Sequence, residues 1–187
     1  VSGADATGGL VGYVDSSTIT NSYATGAVTG RDAVGSLVGG FLNSSTIANS
    51  YGTGAVSSYI SSTYIGGLVG QVSTSTITNI FWDTQTTGQA TSAGGGIGLT
   101  TAQMKDTKTF HDAGWDFDTI WGRDTANVEN SGYLDLRALN SDFTFNTVVA
   151  LTVADQTKTY DGADSITATL SKANVIDSVA LTGNKNV

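Results

Sequence analysis

Side-chain catalysis needs a short list of groups, and this chain is poor in them. It has one histidine (His111), no cysteine, and sixteen acidic residues spread over 187 positions. Cleaving a glycosidic bond requires two facing carboxylates, or a base set beside Arg or Lys. Asp15 has no acidic counterpart in the related segments described below, and Asp116 and Asp118 sit within an aromatic-rich stretch. His111 would need a serine and an aspartate beside it for a nucleophilic triad, so a surface or capping role is expected of it. The glycine-rich SAGGGIG (92–98) has neither the P-loop lysine nor the dinucleotide-fingerprint spacing, and reads as a flexible connector. Asp155, Asp161 and Asp164 follow neither an EF-hand nor the nonapeptide calcium repeat. Asn43-Ser44-Ser45 is a glycosylation sequon, read here as a turn. No catalytic residue, cofactor site or metal ligand is therefore assigned, and no enzyme is expected. What remains is aromatic: Tyr13, Tyr59 and Tyr64 lie outside the expected core columns. Exposed aromatic faces stack on sugars, so these three are the candidate ligand contacts.

Composition narrows the partners. Hydrophobic residues make up 39% of the chain and charged residues only 13%, about half the charge of an ordinary globular domain. Serine and threonine fill the surface instead. A net charge of −8 argues against nucleic-acid or anionic-membrane partners. No apolar run approaches the ~20 residues that span a bilayer, so membrane insertion is not expected.

Those sparse groups must be positioned by elements, and the elements repeat. GGLVGYVDSSTITNSYATGAVTG begins at Gly8, GSLVGGFLNSSTIANSYGTGAVSS at Gly35, and GGLVGQVSTSTITNIFWDTQTTG at Gly66. Copies spaced by about thirty residues signal stacked units that cannot bury a core alone. Their short β-branched segments alternate like strands and are punctuated by glycine. The predicted fold is all-β: a parallel β-helix of short rungs, then a small helix-containing aromatic cap, then the start of a second β module. Val1–Gly3 are expected to be the tail of an upstream repeat.

Stacking predicts columns of like residues along the axis, one strand spacing apart. Leu10/Leu37/Leu68, Ile19/Ile47/Ile77, Tyr23/Tyr51/Phe81 and Val28/Val56 should line the interior. Asn21/Asn49/Asn79 should form an amide ladder. Gly12, Gly39 and Gly70 should mark positive φ or tight passage. Thr18, Thr20, Thr46, Thr76 and Thr78 should share an outer wall. After Phe81 the third copy diverges. Thr100 to Gln103 has the form of a capping box opening a helix. Trp82, Trp115, Phe117 and Trp121 are candidates for a hydrophobic plug, and GYLDLRAL (132–139) alternates like a last strand. The expected regions are 1–98 for the repeats, 99–140 for the cap, and 141–187 for a shortened antiparallel module with a turn at Asp161-Gly162.

The repeated GGLVGYVDSSTITNSYATGAV resembles the GLUG repeat. ALTVADQTKTYDG resembles the start of the YDG repeat of filamentous-haemagglutinin-like adhesins. The segment between them is similar to the region that follows GLUG repeats in large bacterial surface proteins. The resemblance implies an exported, extracellular bacterial protein with a β-helical shaft, often secreted by the two-partner route. Its relatives act in adhesion, biofilm and virulence. On this reading the partners are host or bacterial surface glycans or proteins, with end-to-end self-association as a further possibility. A purely structural spacer is the alternative function; a carbohydrate-active β-helix enzyme is the more distant one.

Overall fold

The computed structural model describes residues 1–42, 44–62, 64–123 and 129–139. The chain divides into two compact units, Val1–Trp115 and Asp116–Val187. The predicted antiparallel module, Asn43, and Asp155, Asp161 and Asp164 lie outside the described residues.

The first unit is a parallel β-helix. Its first coil contains β1 (Ala6–Gly8), β2 (Val11–Asp15), β3 (Thr18–Thr20), β4 (Tyr23–Ala24) and β5 (Val28–Gly30). The second contains β6 (Ala33–Gly35), β7 (Val38–Leu42), β8 (Thr46–Gly52) and β9 (Val56–Ser58). The third contains β10 (Tyr64–Gly66), β11 (Val69–Val72) and β12 (Thr76–Asp83). Each strand lies parallel on its sequence equivalent, giving sheets β1-β6-β10, β2-β7-β11 and β5-β9, while β3 and β4 both lie on β8. The register joins Ile19 to Ile47 to Ile77, Tyr23 to Tyr51 to Phe81, and Val28 to Val56, as the repeat predicts.

The glycines of the GGLVG segment have a specific task. Gly12, Gly39 and Gly70 have no positive φ; they pass close to neighbouring backbone. A Cβ on Gly39 would lie 2.3 Å from the Thr7 amide nitrogen, and one on Gly70 2.5 Å from that of Val34. The sheet β1-β6-β10 thus rests backbone-to-backbone on β2-β7-β11. Its other face points Val34 and Ile65 at Val28 and Val56, a small second core.

The left-handed positions fall to asparagine instead. Asn21, Asn49 and Asn79 have φ of +48°, +47° and +48°, a region Asn tolerates better than most residues. The Asn79 side-chain amide donates to Asn49 Oδ1 at 3.4 Å, forming one step of the predicted ladder. This kink reverses the alternation of the strand. Ile77, Ile80 and Trp82 consequently all join the main core, although strict period two would separate Ile77 from Ile80. Serine repairs the ladder at the kink: the Ser50 hydroxyl accepts from the Ser22 amide (3.2 Å) and donates to the Ala48 carbonyl (2.8 Å).

The phase reversal corrects one expectation. Phe81 lies between two core residues in an extended strand, so it faces outward, and Tyr23 and Tyr51 with it. Tyr51 is nonetheless fully buried. A lateral segment covers it: α2 (Thr101–Met104) and α3 (Thr107–Asp112) follow α1 (Thr84–Thr87) and β13 (Ile97–Leu99). Phe110 of α3 packs edge-on to Phe81 at 5.1 Å, and Trp115 lies 5.7 Å from Phe81 and 6.4 Å from Tyr51. The Thr100–Gln103 capping box forms as predicted, and Asp106 caps α3, splitting the expected helix in two.

Leu10 is the second correction. Its amide bonds the Leu37 carbonyl at 3.0 Å, so it belongs to its column. Leu37 and Leu68 are fully buried, but Leu10 is 48% exposed, because among the described residues no strand stacks on the outer side of the first coil.

SAGGGIG is not a free connector. The Gly67 amide bonds the Thr91 carbonyl (2.8 Å), the Val69 amide bonds Ser92 Oγ (2.8 Å), and the Ala93 amide bonds the Val69 carbonyl (3.0 Å). Beyond them β13 pairs parallel with the end of β12. Gly94, Gly95 and Gly96, at φ of +75°, +95° and +90°, carry the chain across the face of the third coil. The segment is a partial fourth coil that covers the last rung.

The predicted plug is dispersed. Trp82 belongs to the core of the third coil, and Trp115 to the lateral aromatic cluster. Phe117 and Trp121 are buried in the second unit. There β14 (Trp121–Gly122) pairs antiparallel with β15 (Asp135–Leu136), and Arg137–Leu139 form a 3-10 turn. GYLDLRAL therefore contributes only a two-residue strand. Arg137 ties the unit together by donating to the carbonyls of Phe117 and Trp121.

Candidate ligand-contact surface

The three candidate tyrosines are all exposed: Tyr13 57%, Tyr59 58% and Tyr64 49%. They do not form one cluster. Tyr59 follows β9, and its hydroxyl donates to the Gly3 carbonyl at 2.8 Å, laying the side chain across the stacked coils. It serves the coil stack, and its hydroxyl is already engaged.

Tyr13 and Tyr64 stand on adjacent columns of the coil stack. Tyr13 is in register with Gly40 and Gln71 on β2-β7-β11, and Tyr64 with Ala33 and Ala6 on β1-β6-β10. The two columns are neighbours: a Cβ on Gly40 would lie 3.6 Å from Ala6 Cβ and 3.7 Å from Tyr13 Cδ2. Beside the partial fourth coil, Tyr64, Gln71, Thr91 and Ser92 line a cavity of about 340 Å³, and Tyr13 is not among its lining residues. Sequence reasoning found the tyrosines by exclusion from the core. It missed Gln71 and Thr91, because their neighbourhood is made by coil stacking and no local pattern marks it.

Charged groups form small surface pairs elsewhere. Arg31 bridges Asp5 and Asp32; its hydrogen bond to Asp32 and the charge of Asp5 raise its pKa. Lys108 pairs with Asp112 one helical turn on, raising the lysine and lowering the carboxylate. Asp116 accepts from the Thr119 hydroxyl and amide and from the Asp118 amide, which holds it below the usual carboxylate range. Burial lowers Arg137. Asp116 and Asp118 therefore build an Asx-type turn. His111 sits in the last turn of α3, partly exposed. Among the described residues no three His, Asp or Glu side chains converge. The threonine wall forms as read: Thr18, Thr46 and Thr76 are in register, and Ala48 interrupts the row of Thr20 and Thr78. Among the described residues no helix is long and apolar enough to cross a membrane.

Over 115 residues, 62% of this chain, the sequence is 42% identical to a protein of Evansella cellulosilytica named "Putative Gly-rich membrane protein". The match spans 10% of that protein's length. No solved structure matches. Residues 3–29, which contain β1 to β4 and the start of β5, match the family model described as the GLUG motif.

Proposed function

We propose that this chain is a segment of an exported bacterial surface protein, an adhesin or biofilm-matrix protein, in which the β-helix serves as a rigid shaft. The observation that carries the reading is the in-register stacking of three GLUG-like coils. Each coil joins its neighbours through parallel strand pairing and continuous apolar columns. Such an array lengthens by adding coils without changing its cross-section, which suits a structure that must reach outward. A low-charge, hydroxyl-rich wall keeps it in water. The longer relative, of which the match spans 10% and whose name places it at a membrane, supports an envelope-linked location. On this reading the segment is not an enzyme, and the attachment partners are surface glycans or proteins.

The test is made on the bacterium that produces the parent protein. Antibodies raised against the 187-residue chain are expected to label intact cells, and external protease to remove the label. Labelling seen only after permeabilisation overturns the surface assignment. Replacing these coils with an unrelated β-solenoid of equal length separates the two roles. Retained attachment means the coils act only as a spacer, whereas lost attachment means their own surface contacts the partner.

A further inference from the structure

We infer that the cavity beside Tyr64, at the partial fourth coil, is a binding site for a neutral oligosaccharide. Its biological use rests on the surface-protein reading, but the binding belongs to the chain itself. Three observations converge on it.

The first is shape. The cavity beside Tyr64, about 340 Å³, falls in the range of small-molecule sites, and Tyr64, which lines it, is half exposed.

The second is chemistry. A pyranose presents apolar C–H faces and equatorial hydroxyls, which call for an aromatic platform edged by neutral donors and acceptors. Tyr64 supplies the ring. Gln71 supplies an amide that both donates and accepts, and Thr91 supplies a hydroxyl. The side chains of Tyr64, Gln71 and Thr91 form no hydrogen bond among the described residues, so their polar atoms stay available to a ligand. Tyr59, by contrast, has its hydroxyl committed to Gly3.

The third is charge. No ionisable side chain other than the tyrosine phenol lines the cavity, and the chain carries a net −8. Anionic polysaccharides are therefore repelled and cations find no carboxylate, which leaves neutral sugars as the matching class.

The experiment is calorimetric titration of the full chain with cellohexaose, chitohexaose, maltohexaose and laminarihexaose, and with alginate hexamer as the anionic control. We expect saturable binding of at least one neutral hexamer and none of alginate. Tyr64→Ala and Gln71→Ala should each weaken binding about ten-fold or more, whereas Tyr64→Phe, which keeps the ring, should retain most of it. Tyr59→Ala should bind like the unaltered chain. Circular dichroism melts confirm that each variant folds. Absence of saturable binding to every neutral hexamer, tighter binding of alginate, or an equal loss in Tyr59→Ala overturns the proposal. If cells still display the protein while the cavity fails these tests, the cavity assignment alone falls. If the cavity binds but the protein is absent from the surface, the surface reading falls and the site stands.

Discussion

The indole of Trp82 occupies the space that a side chain at Gly67 would fill: a Cβ there would lie 2.1 Å from Trp82 Cδ1 and 2.2 Å from Nε1. In the earlier coils the position of Trp82 is held by Ala24 and Gly52, and facing Gly52 is Ser36. The third coil therefore exchanges a small residue for a large one only because its partner position is bare. The indole N–H donates to the Gln89 carbonyl at 2.9 Å, fixing the ring beneath the partial fourth coil.

That pairing makes Gly67→Ala a severe change. The added methyl meets a buried ring that cannot rotate away, and overpacking of this kind costs about 1–3 kcal/mol or more. Gly26→Ala is the matched control: nothing lies within 4 Å of its Cβ and its φ is not positive. It should be neutral or stabilising by about 0.4–1 kcal/mol. Urea unfolding followed by tryptophan fluorescence measures both, and equal midpoints for the two variants would refute the packing account.

The asparagine kink yields a second prediction. Asn49→Ala loses both the tolerance for φ of +47° and the acceptor for Asn79. A left-handed conformation costs an ordinary L-residue about 1–2 kcal/mol. Asn49→Gly relieves the backbone term, so it should be the milder substitution in thermal unfolding. If Asn49→Gly is as damaging as Asn49→Ala, the side-chain ladder matters and the left-handed kink does not.

Removing the lateral cover should expose the aromatic column. Phe110 is fully buried and contacts Tyr51, Phe81 and Trp115. Phe110→Ala is expected to cost about 3–5 kcal/mol and to increase binding of a hydrophobic dye. An unchanged melt and unchanged dye binding would mean that the helical segment does not bury the column.

The Asp116 turn has a pH signature. Its folded pKa is depressed by hydrogen bonds from Thr119 and Asp118, with burial opposing. A depressed carboxylate adds stability above its unfolded pKa of about 3.9, and that contribution disappears as pH falls through the folded value. Thr119→Val removes the hydroxyl donor, so the Asp116 titration read by carboxyl NMR should move upward. A titration that does not move would exclude the Thr119 hydroxyl as the main cause.

Much of this architecture was legible in the residues. The copies at Gly8, Gly35 and Gly66 fixed which residue stacks on which, because stacking relates sequence equivalents and needs no knowledge of the interior. The same copies announced parallel pairing, the asparagine ladder and the threonine rows, while Thr100 and Gln103 announced a helix start through local hydrogen bonding. Tertiary structure decided which columns face inward. The left-handed asparagine flips strand phase, and residues far along the chain, Phe110 and Trp115, cover the face so turned out. It also made SAGGGIG a closing rung and brought Tyr64 beside Gln71, since both depend on contacts between segments that no short stretch encodes. Periodicity, in short, specifies neighbours along the axis, whereas inside and outside are set by the backbone's handedness at one residue and by what packs against it.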